Sequence, residues 1–168
     1  MSIDGRAEAT GLAGQSIDFI VAGQAFHWFD REKARLEFFR ILKPAGWVML
    51  VWNERQTSGT PFLAAYEALL QRYATDYTQV DHRSVVDEAA LSQFFGPGGF
   101  VLKTFPYCQD FDYAGLRGRL LSSSYTPEAG HPNHEPMLAG LHQVFQTYQV
   151  NGHIAFEYTT KMYYGHLS

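Results

Sequence analysis

The run Trp47-Val48-Met49-Leu50-Val51-Trp52, without a single polar side chain, constrains this chain more than any other feature. It is far shorter than the roughly 20 apolar residues that cross a bilayer, and it predicts a strand deep in a sheet with helices on both faces. A similar segment from Ile17 to Ala22, IDFIVA, is β-branched and aromatic with apolar residues on both faces, and predicts a second buried parallel strand. Between the two, Asp30 offers an N-cap, and Ala34, Leu36, Phe38, Phe39 and Leu42 approximate helical spacing before Pro44. That is a helix of about three turns. Pro44-Ala45-Gly46 then reads as a turn into the apolar run.

Further along, Phe62, Leu63, Tyr66, Leu69, Leu70 and Tyr73 recur at intervals of three and four, behind Thr60 as N-cap and Pro61 at the first helical position. A polar connector from Thr75 to Asp87 leads to a short helix over 88–95, a GPGG turn at 96–99 and a strand over 100–111. Residues 116–123 read as a helical turn or two, 126–136 as a Pro/His/Asn loop, 137–149 as a helix and 153–166 as a long β-rich run. Strands alternating with helices and closed by two longer strands predict an α/β sheet with an antiparallel end, in one domain over 1–168.

Composition narrows the function classes. The 168 residues are 46% hydrophobic and 18% charged, which is globular, and 15% aromatic, which asks large rings to cover a core, a pocket or an interface. A net charge of −4 with no Lys/Arg stripe argues against a nucleic-acid partner and for a small molecule or a protein. One cysteine, Cys108, excludes an intramolecular disulfide, and no basic start or apolar leader precedes the first strand. The expectation is a cytoplasmic protein that engages neither nucleic acid nor membrane.

Four runs then carry a specific signal: Gly5-Arg6-Ala7-Glu8-Ala9-Thr10-Gly11-Leu12, Ser16-Ile17-Asp18-Phe19-Ile20, Ala22-Gly23-Gln24-Ala25-Phe26-His27-Trp28-Phe29 and Leu42-Lys43-Pro44-Ala45-Gly46. Together they resemble the class I S-adenosylmethionine-dependent methyltransferases, in the small-molecule, methyltransferase type 11-like subgroup. Residues 115–125, GLRGRLLSSSY, and Phe156-Glu157-Tyr158 through Tyr163-Tyr164-Gly165 extend the likeness to the end of the chain. The resemblance implies a partial Rossmann-like fold whose four strands are equivalent to strands 4-5-7-6 of the family order 3-2-1-4-5-7-6, with flanking helices. The G-x-G-x-G turn that lets the backbone approach the cofactor, and the acidic residue that holds its ribose, have no counterpart here. Met1 falls where the family's third strand would end. The resemblance therefore implies a C-terminal half without the N-terminal cofactor-binding half, through truncation or a start placed downstream, and a chain that does not bind S-adenosylmethionine alone.

The resemblance also implies candidate site residues. Arg6 and Ala7 fall at an adenine contact, where a side-chain acceptor and the next backbone N–H meet the base; a guanidinium is donor-only, so Arg6 cannot accept, and an ordinary loop is the plain alternative. Gly23 and Gln24 follow the C-terminal end of the first strand, where ligands of open α/β sheets bind, although a tight turn explains Gly23 equally well. His27 is a candidate general base and Trp28 an aromatic face for a substrate or a cation, against simple packing of the Phe-His-Trp-Phe corner. Since a sulfonium leaving group is already activated, positioning would supply most of the rate. Ser122, Ser123, Ser124 and Tyr125 could present hydroxyls to a substrate, Ser123 and Tyr125 foremost, or merely end a helix. His131 and His134 have H-x-x-H spacing without a third ligand, so no metal site is expected.

Without strands 1 to 3, the strand from Ile17 to Ala22 becomes a bare edge with no Pro or Lys to protect it. Its antiparallel pairing with a second copy would complete the sheet, so an obligate homodimer is expected. Two functions stay open: a methyltransferase relative acting on a small molecule, active only when the other half is supplied, and a non-catalytic dimeric remnant or binding module.

Overall fold

The computed structural model describes residues 4–75, 77 and 87–168. The connector expected between Thr75 and Asp87 lies largely outside the described residues. Four strands, β1 (Ile17–Gly23), β2 (Leu42–Arg55), β3 (Val101–Phe111) and β4 (Ile154–Gly165), form one sheet in the order β1-β2-β4-β3. β1 runs parallel to β2, with Phe19 opposite Trp47 and Gly23 opposite Val51. β4 runs antiparallel to β2: Trp47 near the start of β2 meets His166 just past the end of β4, at 3.8 Å between ring centroids, and Asn53 near the end of β2 accepts from Thr160 Oγ1 at 2.6 Å. This mixed sheet has the 4-5-7-6 order that the resemblance implied.

Among the described residues, four of the five α-helices begin where a short polar side chain takes an orphan amide of the first turn. Asp30 caps α1 (Arg31–Ile41) through Lys33 N, Thr60 caps α2 (Pro61–Tyr73) through Leu63 N, and Asp87 caps α3 (Glu88–Phe95) through Ala89 N. α4 (Tyr113–Leu121) starts earlier than its apolar spacing suggested, because Asp112 accepts from Gly115 N. α5 (His134–Tyr148) likewise starts three residues early, so the expected loop ends before His134.

Two strands differ from expectation. β2 reaches back to Leu42, so Pro44-Ala45-Gly46 is an irregularity inside the strand rather than a turn before it. Between the pairs Ile17–Leu42 and Phe19–Trp47, β2 advances five residues while β1 advances two, and the excess bulges out. A Cβ on Gly46 would lie 2.6 Å from Leu42 Cδ2 and 3.0 Å from Lys43 O, so only glycine fits the bulge as it stands. β1 is not buried on two sides: Ala22 is buried, but Phe19 and Val21 are 57% and 63% exposed. Among the described residues β1 has a neighbour on one edge only and nothing covers its Phe19/Val21 face, which its apolar composition could not reveal.

The described residues fall into two compact units, one drawn from 1–54, 83–105 and 160–168, the other from 55–82 and 106–159. The first centres on Phe26, Val48, Leu50, Leu91 and Phe94, with Phe26 and Phe94 edge to face at 4.7 Å. The second packs α2 against α5 and β4, through Leu63, Tyr66, Leu70, Leu141 and Phe156, all essentially without solvent contact. Among the described residues no helix is long and apolar enough to cross a membrane.

Candidate functional site

In the first unit, β1 delivers the chain to a corner. Gly23 ends the strand, and Gln24 turns in the left-handed region at φ 54°, held by its backbone N–H on Val51 O (2.9 Å) and its side-chain amide on Asn53 O (3.3 Å). A Cβ on Gly23 would meet nothing within 4 Å, so the local packing there makes no demand for glycine. The 3₁₀ turn Phe26–Trp28 then splits the aromatic cluster. Phe26 is buried, Phe29 packs against it, and His27 and Trp28 face outward, Trp28 at 80% exposure with its ring 4.8 Å from that of His27. The two phenylalanines of the motif thus pack inward while His27 and Trp28 between them face solvent. His27 borders an open hollow of about 630 Å³ with Arg31, Arg35, Leu36 and Gln93; Gly23 and Gln24 do not line it.

The loop carrying Arg6 and Ala7 is a tight reversal, Arg6 and Ala9 exchanging backbone hydrogen bonds of 3.4 and 3.0 Å. Arg6 is exposed, and Ala7 packs on the core of the first unit. The loop is fastened to α1 at two points. Glu8 accepts from Asp30 N at 2.9 Å, and Glu37, the one buried charged residue among those described, accepts from Thr10 N and Thr10 Oγ1 while pairing with Arg40 at 2.8 Å. Arg40 and Thr10 hold the Glu37 carboxyl down to about 2.

The second unit brings Ser123 and Tyr125 near charged groups that the sequence reading did not single out. Ser122 and Ser123 hydroxyls both donate to Arg119 O, at 2.8 and 3.3 Å, at the end of α4. Tyr125 is buried, its ring edge-on to Tyr77 at 5.1 Å. Arg55, the last residue of β2, pairs with Glu67 at 2.5 Å, donates to Tyr77 Oη at 2.6 Å and covers the Tyr66 ring at 5.4 Å. Despite its partial burial, Glu67 is held below the ordinary carboxylate range by Arg55 and Tyr77; burial and the hydrogen bond to Glu67 push the Tyr77 phenol up to about 12. Arg119 donates from Nε to Tyr158 Oη at 2.6 Å and lies 4.7 Å above the Phe156 ring. A signal for Arg119 existed, since it sits three residues after the buried Leu116, on the inward face of α4.

His131 Nδ1 accepts from Asn133 N at 3.1 Å, His134 Nδ1 lies 2.7 Å from Pro127 O, and the described residues hold no group of three metal-ligating side chains.

A parallel pair extended by an antiparallel strand, in the order β1-β2-β4-β3, places this molecule among the Rossmann-like α/β proteins. Residues 2–50 match the family model of the methyltransferase domain. An uncharacterized methyltransferase-like protein of Schizosaccharomyces pombe is 40% identical over 72 residues, 43% of this chain and 28% of the relative. An uncharacterized methyltransferase of Mycobacterium tuberculosis is 43% identical over 51 residues, 30% of this chain and 21% of its own length. The matched segment thus spans under a third of these relatives. Among solved structures, a candidate type II methyltransferase from Anaeromyxobacter dehalogenans superposes with a TM-score of 0.64 at 18% identity, over 97% of this chain and 70% of that one. A candidate methyltransferase from an antibiotic biosynthesis pathway of Anabaena variabilis gives 0.53 at 18% identity, over 95% and 71%. Residues 2–50 are thus similar to the methyltransferase domain, and the α/β fold is shared with these solved structures.

The positions at which the resemblance implied contacts with S-adenosylmethionine differ in what they offer. Arg6 is an exposed donor where an acceptor would be wanted, Gly23 faces open space, and no G-x-G-x-G turn occurs in the 168 residues.

Proposed function

We propose that this chain serves methyl transfer to a small molecule as the acceptor-side part of the machinery, with S-adenosylmethionine held chiefly by residues other than these 168. The carrying observation is the sheet order β1-β2-β4-β3, which corresponds to the half of the family's fold beyond the glycine-rich strand. The C-terminal end of β1 carries a feature this role needs, an outward-facing His27 and Trp28 shortly after Gly23. Calorimetry with S-adenosylmethionine tests the division of labour. The 168 residues alone are expected to show no micromolar binding, and the same residues joined to the N-terminal part of a full-length methyltransferase relative are expected to bind. Micromolar binding by the 168 residues refutes the division; absence of binding in both refutes the methyltransferase role.

A second reading, a dimeric binding module without catalysis, is favoured by the uncovered edge of β1. Antiparallel pairing with a second copy about a two-fold axis at Ile20 sets Phe19 opposite Val21 and Asp18 opposite Ala22, so exposed apolar side chains meet and no like charges face each other. Sedimentation at micromolar concentration decides: a dimer that Val21→Lys converts to monomer is expected, and a monomeric wild type removes the pairing.

A further inference from the structure

We propose that the second unit holds a carboxylate-binding site formed by Tyr66, Arg119 and Tyr158, and that the carboxylate belongs to the methyl acceptor; its assignment to the acceptor rests on the function proposed above. Two groups there keep unmet donor capacity among the described residues. The Tyr66 side chain is completely buried and its hydroxyl has no hydrogen-bond partner, a condition that native interiors seldom leave uncorrected. Arg119 spends one N–H on Tyr158 Oη, and among the described residues no carboxylate reaches its guanidinium.

The contrast with Arg55 in the same unit is instructive. Arg55 is neutralised by Glu67 and bonded to Tyr77, whereas the charge of Arg119 rests on the faces of Phe156 and Tyr158, 4.7 and 5.6 Å away. One guanidinium is compensated and the other has no carboxylate partner among the described residues. The phenol and the free guanidinium border a common ring: Tyr66 meets Phe156 edge to face at 5.1 Å, on which Arg119 also lies. Arg119 and Arg55 both place positive potential at the Tyr66 oxygen, while burial pushes its ionisation well up and keeps it an O–H donor.

A forked cation beside a buried hydroxyl donor suits a planar anion with two acceptor oxygens, which a carboxylate is. A phosphate dianion would need a second uncommitted cation, and Arg55 is engaged by Glu67. Arg119 is itself only half-buried, so part of its side chain meets solvent.

The test titrates the full chain with propionate and phenylacetate, and with their amides as uncharged isosteres, following the Arg119 Nε–H resonance. The carboxylates are expected to bind at least about tenfold more tightly than the amides, as charge-assisted hydrogen bonds require. Tyr66→Phe is expected to weaken carboxylate binding about tenfold, to leave amide binding unchanged and not to lower the unfolding midpoint, since it deletes a group with no partner. Arg119→Lys keeps the charge but loses the fork and is expected to weaken binding further. Equal affinity for acids and amides, no binding of either, or carboxylate affinity indifferent to Tyr66→Phe would each overturn the site. A marked stability loss in Tyr66→Phe would do so as well. None of these measurements involves S-adenosylmethionine, so the failure of this site and the failure of methyl transfer are separately visible.

Discussion

Replacing Gly46 by alanine probes the bulge that sets the register of β2 against β1. The added Cβ would come 2.6 Å from Leu42 Cδ2, 3.0 Å from Lys43 O and 3.2 Å from Asp18 O. Two of these atoms are backbone, and Leu42 is buried, so neither the chain nor the side chain has free space to yield. Overpacking of this kind costs about 1–3 kcal/mol. Restriction of the unfolded chain by alanine returns about 0.4–1 kcal/mol, leaving a net loss of about 1–2 kcal/mol. For a chain of this length that lowers Tm by roughly 3–6 °C. Gly118 is the internal control: it lies within α4, an added Cβ meets nothing within 4 Å, and alanine there should stabilise by about 0.5–1 kcal/mol. Urea unfolding of both variants, with unchanged m, should therefore move the two midpoints in opposite directions. A Gly46→Ala protein as stable as wild type would refute the steric account of the bulge.

Asp112→Ala removes the acceptor for Gly115 N at the start of α4 and should cost about 1 kcal/mol in urea unfolding; Asp112→Asn, which keeps a cap, should cost less. The Glu37 carboxyl is held at about 2 in the fold against 4.5 ordinarily, so its stabilisation is complete above about pH 4.5 and is lost as pH falls from there towards 2. Glu37→Gln should flatten the acid limb of stability in that window, and an unchanged limb would place the acid sensitivity elsewhere. If the His27 imidazole takes the acceptor's proton, His27→Gln should slow methyl transfer by about 10²-fold with little change in acceptor KM, and an unaltered rate would remove His27 from the chemistry.

What the sequence determined by itself is what local forces decide. Asp30, Thr60 and the spacing from Phe62 to Tyr73 mark helices because a cap and an apolar stripe act within one element. The six apolar residues from Trp47 likewise required an interior strand, and the motif runs, through the resemblance they carry, implied the 4-5-7-6 strand order. Tertiary structure decided the rest, because the forces there join residues far apart in the chain. Pro44-Ala45-Gly46 becomes a bulge only because β1 pairs alongside it, and Phe26 and His27 part ways only because Phe94 waits on α3 to receive the ring. β1 is apolar on both faces in either case; its exposure depends on what stands beside it. Arg119 and Tyr66, on different helices, become neighbours only when Phe156 of β4 comes to lie against both, and their unmet hydrogen-bonding capacity exists in the fold alone.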